Sequence, residues 1–303
     1  MTAPADRQSH AFGELLTEPA PAAVQAPVQR VVEVVGRRPV GAYVELTFAA
    51  PETAGRAVPG QFVAFAIGGR ESAMLLRRSI AIAGTGDGRL TVVVAPHGPG
   101  STWLAGLQPG ATVDVVGPLG RPFPLPEPGT PALLVGGGYG AAALVGLAGA
   151  LRERGSDVSA VAGAASADRL CSVDELSALA GVTVLTDDGS AGRRGWVTDA
   201  VAEQVGRVGV VYACGPMGML RAVAELATAA GVPSYVAVEE SMACGIGVCM
   251  TCVLPVVGAD GRTRFSRSCT EGPVFGGDRV RFADVGTLTA DVVGAAAMGV
   301  LPA

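Results

Sequence analysis

Four of the six cysteines, Cys244, Cys249, Cys252 and Cys269, are spaced C-x4-C-x2-C-x16-C. Three thiols this close together require a tight loop, and the fourth must come back to it on a later strand. The spacing is that of plant-type 2Fe-2S ligands, in which each of two sulfide-bridged irons takes two thiolates. Gly245 and Gly247 stand between the first two cysteines, where positive φ lets backbone N–H groups turn toward sulfur. Tetrahedral zinc is the alternative, although zinc ribbons and knuckles usually carry two C-x2-C pairs and this loop has one. The N-terminal "MTAPADRQSHAFGELLTEPAPAAVQ" has no basic region followed by an apolar one and reads as a flexible tail. A cytoplasmic protein is therefore expected, whose thiols stay reduced and whose clustered cysteines point to metal rather than to disulfides.

The texture of the chain changes twice. From 28 to 128, "RVVEVV", "AYVELTFA", "QFVAFAI", "RSIAIAG", "RLTVVVA" and "TVDVVGPLG" are short strand-like runs between Gly, Pro and Asp turns. They predict an antiparallel β-barrel. From 129 to 236, "ALLVGGG", "DVSAVAGA", "VTVLTDD" and "VGVVYACG" alternate with Ala- and Leu-rich helical stretches, as in an α/β domain with a parallel sheet. Residues 237–283 form a small module around the cysteines, flanked by tails at 1–27 and 284–303; the second tail is expected to pack weakly.

Composition narrows the function. A length of 303 residues, 49% hydrophobic and 16% charged, suits two or three buried cores. The net charge of -5 and the absence of any basic run argue against a nucleic-acid partner. All 22 Lys or Arg positions are arginine, which excludes a Walker A lysine and Schiff-base chemistry. Residues 130–151 carry no charge over 22 positions, enough to cross a bilayer, but "GGGYG" at their centre suits a buried strand, a glycine turn and a helix better than a span.

Several segments point to ligands. Gly136, Gly138 and Ala141 satisfy G-x-G-x-x-A between a strand and a helix, where a pyrophosphate can approach. The acidic residue usual at the end of the second strand is missing: "VSAVAGAAS" closes without one, so a variant nucleotide fold is expected; with Arg169 the only cation near Ala164, Ala165 and Ser166, no arginine pair awaits a 2′-phosphate and a preference for NAD over NADP is expected. Cys214 ends the last parallel strand, on the ligand side of such a sheet. In the barrel, Arg77 and Arg78 lead an apolar strand, and "HGPGSTWL" opens a helix with Ser101 and Thr102, two elements suited to anions.

An Arg-led barrel strand, "GGGYG", "CGPM" and "EESMACGIGVCMTC" followed by "CTEGPVF" together resemble the ferredoxin reductase superfamily and, within it, the electron-transfer subunits of NAD-linked dihydroorotate dehydrogenase, over about Val28 to Phe282. The resemblance implies FAD, a 2Fe-2S cluster and NAD as cofactors. The family's R-P-I-S flavin strand falls on Arg78, Ser79, Ile80 and Ala81, so its proline and serine are both replaced here. Further flavin contacts fall on Val93, Val94 and Ala95, and the phosphate turn on Gly100 and Ser101. The nicotinamide side falls on Gly136, Gly137, Gly138 and Gly140 with Cys214, Gly215, Pro216 and Met217, and "TDDGS" resembles a segment beside the nucleotide. The resemblance also implies a partner, an FMN-containing dihydroorotate-oxidising subunit in a hetero-oligomer, and no acid–base residue in this chain. A subunit of a sulfhydrogenase or ferredoxin:NADP reductase complex, or a non-catalytic iron–sulfur sensor that has lost flavin, are the alternatives.

Overall fold

In the computed structural model, residues 24–69 and 72–300 are described; the expected N-terminal tail lies outside them up to residue 23. Six strands close a barrel: β1 (Val28–Val40), β2 (Tyr43–Ala49), then a short helix α1 (Pro51–Ala54), β3 (Phe62–Phe65), β4 (Arg78–Gly86), β5 (Arg89–Val94), helix α2 (Pro99–Ala105) and β6 (Thr112–Leu119). Their order is β1-β2-β5-β4-β3-β6, antiparallel throughout. Successive side chains on a strand face opposite ways. Val32, Val34, Leu46, Phe48, Val63, Phe65, Val92 and Val94 therefore fill the interior, where the Phe48 and Phe65 rings lie 5.0 Å apart.

The second unit comprises β7 (Ala132–Gly137), α3 (Ala142–Glu153), β8 (Val158–Ala164), α4 (Val173–Ser177), β9 (Gly181–Thr186), β10 (Arg193–Arg194), α5 (Val197–Gln204), β11 (Val210–Cys214), α6 (Met217–Ala229) and β12 (Ser234–Ala237). From β10 through β9, β8, β7 and β11 to β12 the strands run parallel. The chain winds outward from β7 through β8 and β9, then returns to the other side of β7 as β11. The switch point lies between β7 and β11, whose carboxyl ends open a crevice for ligands. The uncharged stretch at 130–151 divides into β7, a 3-10 turn and α3; among the described residues no helix is long and apolar enough to cross a membrane.

After the cysteine loop come a hairpin, β13 (Val253–Val257) with β14 (Thr263–Arg267), and then β15 (Val274–Gly276). β15 pairs antiparallel with β12 and becomes the seventh strand of the sheet. The cysteine segment is thus stitched to the nucleotide unit rather than appended to it. The C-terminal segment also departs from expectation. Val292 and Ala295 are buried, Val293 N–H donates to Thr263 O at 2.9 Å, and Arg281 pairs with Asp284 and Asp291. The segment folds over the hairpin because β14 offers it a backbone acceptor and Arg281 offers it a charge.

The link between barrel and sheet is buried too. Tyr212, on the central strand β11, is fully buried and donates its hydroxyl to Pro124 O at 2.7 Å, with Phe123 edge-on to its ring. Tyr212→Phe removes that hydrogen bond and should lower unfolding free energy by about 0.5–1.5 kcal/mol in chemical denaturation, with little change in secondary structure by circular dichroism.

Candidate functional site

Two barrel elements far apart in sequence meet at one point. Arg78 heads β4, and its guanidinium lies against Gly100 at the start of α2: a Cβ there would stand 2.5 Å from Nε and 2.6 Å from Nη2. Only glycine fits. Arg78 donates to Leu76 O at 2.8 Å and retains N–H groups for an anion. Arg77 is committed elsewhere, to Asp114 at 2.5 Å and to Ala64 O, and is structural. Ser101 Oγ accepts the N–H groups of His97 and Gly98 at 2.9 and 3.1 Å, so its hydroxyl shapes the turn. Of the β5 residues, Val94 points into the barrel core, whereas Val93 and Ala95 face outward with Tyr43, Ala142 and Cys171. Ile80 packs toward the core, and Ala81 is exposed.

At the switch point, Gly140 lets the turn after β7 touch the end of β11: a Cβ there would lie 2.5 Å from Cys214 O. This brings Gly136–Gly140 together with Cys214–Met217, as their positions at the carboxyl ends of adjacent strands require. The Cys214 thiol is pushed up to about 12 by burial. Beside it opens a cleft of about 880 Å³ lined by Gly138, Tyr139, Asp187, Trp196, Pro216 and Met219, among others. Tyr43, Asp187 and Trp196 were not singled out by the sequence reading; "TDDGS" was the only signal for this side. The structure supplies a carboxylate where β8 has none. Asp187 N–H donates to Ala164 O at 3.0 Å and Asp188 N–H to Ala165 O at 3.2 Å, which sets the end of β9 against the end of β8.

In the cysteine loop, Gly245 and Gly247 have φ of 73° and 84°. The N–H groups of Ile246 and Val248 both reach Cys244 Sγ at 3.4 Å. Cys249 is exposed, and hydrogen bonds from Thr251, then from Cys244, lower its thiol to about 6. Cys252 and Cys269 are buried; desolvation, then the neighbouring Cys252, raises Cys269 to about 12. The thiols thus associate as two pairs, Cys244 with Cys249 and Cys252 with Cys269. Two thiol pairs match the ligand set of a two-iron centre, two thiolates to each iron. The hydroxyls of Ser268 and Thr270, on either side of Cys269, are buried without a hydrogen-bond partner. A group with sulfur acceptors fits this donor set.

The loop rests on the barrel. Cys252 and Cys269 pack with Phe62, Ala64 and Leu119, and a side chain on Gly245 would meet Ser79 Oγ at 3.4 Å. The strand led by Arg78 therefore carries the guanidinium and the Gly100 turn at one end and the cysteine loop on its outer face.

Comparison with known proteins agrees with this layout. The iron-sulfur cluster binding domain of dihydroorotate dehydrogenase B matches residues 239–281. The electron transfer subunit of dihydroorotate dehydrogenase B (NAD(+)) from Bacillus caldolyticus is 41% identical over 221 residues, 72% of this chain and 84% of that protein. This chain belongs to that family. A probable electron transfer subunit from Methanopyrus kandleri is 38% identical over 80% of this chain and 88% of its own. Among solved structures, one described as the NADH-dependent reduced ferredoxin-NADP oxidoreductase of flavin-based electron bifurcation superposes with a TM-score of 0.74 at 32% identity, covering 84% of this chain and 91% of the other. The chain is thus an oxidoreductase subunit on a ferredoxin reductase-like fold with an iron–sulfur domain.

The thiol environments predict an order of reactivity. In cluster-free protein at pH 7, Cys249 is largely thiolate and exposed, while Cys214 stays protonated. Brief iodoacetamide treatment should label Cys249 first and Cys171, Cys214 and Cys269, whose thiols burial raises, much later, as read by peptide mass spectrometry.

Proposed function

We propose that this chain passes electrons from dihydroorotate, oxidised at FMN in a separate catalytic subunit, through a 2Fe-2S cluster and FAD to NAD+. The observation that carries the reading is the contact of the cysteine loop with the outer face of the Arg78-led strand, which sets a cluster site beside a flavin site. Bound FAD exchanges electrons singly with an iron–sulfur centre and in pairs with nicotinamide, a conversion neither of the others can make. The chain itself binds, spaces and shields. Cys244 and Cys249 would hold one iron, and Cys252 and Cys269 the other.

Arg78 and the Gly100–Ser101 turn would hold the FAD pyrophosphate, and the backbone of Ser79, Ile80, Ala81, Val93, Val94 and Ala95 would border the flavin. Gly136–Gly140 and Cys214–Met217 would seat the nicotinamide nucleotide. The carboxylate of Asp187 favours NAD by opposing a 2′-phosphate. The reading divides the chain into a flavin barrel (28–128), a nucleotide unit (129–236) and a cluster module (237–283). Ile246, Val248 and Met250 on the loop are 54%, 76% and 51% exposed. An apolar rim of this kind suits burial under a partner subunit, and reduced, clustered thiols suit the cytoplasm.

A second reading has one specific support, the 32% identity to the ferredoxin-NADP oxidoreductase structure: a subunit of a ferredoxin-linked complex with the same cofactors. The partner decides between them. The purified chain should reduce artificial acceptors with NADH but leave dihydroorotate untouched, and the FMN subunit should restore NAD-linked dihydroorotate oxidation and co-elute with it. Efficient ferredoxin reduction without that association would select the second reading.

Anaerobic protein should contain two irons and two sulfides. Alanine at any of Cys244, Cys249, Cys252 or Cys269 should abolish the visible cluster absorbance, while Cys171→Ala leaves it intact; stoichiometric zinc without iron would sink the cluster assignment. Arg78→Ala should weaken flavin retention at least tenfold, measured on released FAD. NADH should reduce the flavin in preference to NADPH, and Asp187→Asn should narrow the ratio.

A further inference from the structure

Thr270 follows Cys269 directly, and its hydroxyl is shut off from solvent with no hydrogen-bond partner among the described residues. It faces the loop that bears the other three cysteines. A side chain on Gly247 would meet Thr270 Cγ2 at 2.8 Å and Oγ1 at 3.5 Å. Two backbone donors here already have a sulfur acceptor: the N–H groups of Ile246 and Val248 point to Cys244. A hydroxyl buried without a partner is costly and rare, and the group missing from this pocket is one rich in sulfur acceptors. Ser268 Oγ is unpartnered too, but no contact sets it against the loop.

We infer that Thr270 donates a hydrogen bond to a sulfur of the bound cluster and so raises its reduction potential. Reduction adds one negative charge to the cluster, and a donor to its sulfurs stabilises the reduced form more than the oxidised one. Thr270 is a tuning residue. It neither ligates iron nor touches substrate, and it adjusts how readily the cluster accepts an electron. The inference rests on the cluster assignment proposed above.

Thr270→Val removes the hydroxyl at nearly constant shape, and Thr270→Ser keeps it. The measurement is an EPR-monitored redox titration of the holoprotein with its FAD, with iron and sulfide assayed on the same samples. Thr270→Val should keep its iron and lower the midpoint, with about a tenfold fall in the reduced-to-oxidised ratio at fixed potential, or about 59 mV for one electron. Thr270→Ser should stay at the wild-type midpoint. If Thr270→Val loses iron, Thr270→Ala replaces it, and an unshifted midpoint in whichever variant retains the cluster overturns the inference. So does a Thr270→Ser midpoint displaced as far as that of the variant without a hydroxyl. Wild-type protein with no 2Fe-2S signal would instead bring down the cluster assignment itself, so the two failures are distinguishable.

Discussion

The structure depends on one contact, the packing of Cys252 and Cys269 against Phe62, Ala64 and Leu119 on the outside of the barrel. A closed barrel has no free strand edges, so a further element can be added only through side chains on its outer surface. Ala64 and Ser79, paired across β3 and β4, are small enough to let the cysteine loop approach. The same β4 strand begins with Arg78 at the Gly100 turn. One strand thus fixes the distance between the loop and the Arg78 guanidinium.

That contact would not hold if the cysteine segment were joined to the rest only by a linker. Three tethers fix it. β15 adds to the nucleotide sheet beside β12, Arg121 N–H donates to Gly272 O at 2.6 Å, and Val238 N–H donates to Pro273 O at 2.9 Å. The C-terminal residues close over the hairpin from the other side through Thr263 and Arg281. The loop itself can therefore expose Ile246, Val248 and Met250 without losing its place, because its position is set by the strands that follow it.

What the sequence revealed and what it hid follow from the range of the interactions. The cysteine spacing is a local signal, since three ligands within nine residues must share one loop whatever the rest of the chain does. The alternation that makes Val32, Val34, Leu46 and Phe48 face inward is local too, and so is the strand, turn and helix at "GGGYG". The meeting of Arg78 with Gly100 depends on barrel closure, which no short window encodes; the residues mark both elements as suited to anions without showing that they touch. Asp187 lies within "TDDGS", but no short window shows that its carboxylate stands where β8 lacks one, because the backbone at the end of β9 carries it there from the neighbouring strand. The C-terminal segment looked inert because Ala, Gly and Val show no period, yet Asp291 finds Arg281 and Val292 finds a buried site. Both contacts depend on where the hairpin lies.

The cysteine loop and the cleft at the switch point are built differently, and the difference follows from what each would have to hold. The cysteine end is anchored by the barrel beneath it and by the strands that follow it, as suits a bound group that exchanges only electrons and need not leave. The nucleotide end is an open cleft. Its walls are Trp196, which is 67% exposed, and Tyr139, which lies edge-on to Tyr43. A nicotinamide nucleotide must enter and depart in each cycle, so ring surfaces there have to remain accessible to it. Between the two lies the barrel's outer face, held from one side by the loop and from the other by the β1–β2 turn, where Ala42 N–H donates to Asp168 O at 2.7 Å and the Tyr43 hydroxyl donates to Arg169 O at 3.1 Å. Because both contacts end on the barrel, movement at the cleft can be taken up by the exposed side chains without altering the spacing between the Arg78 strand and the cysteines.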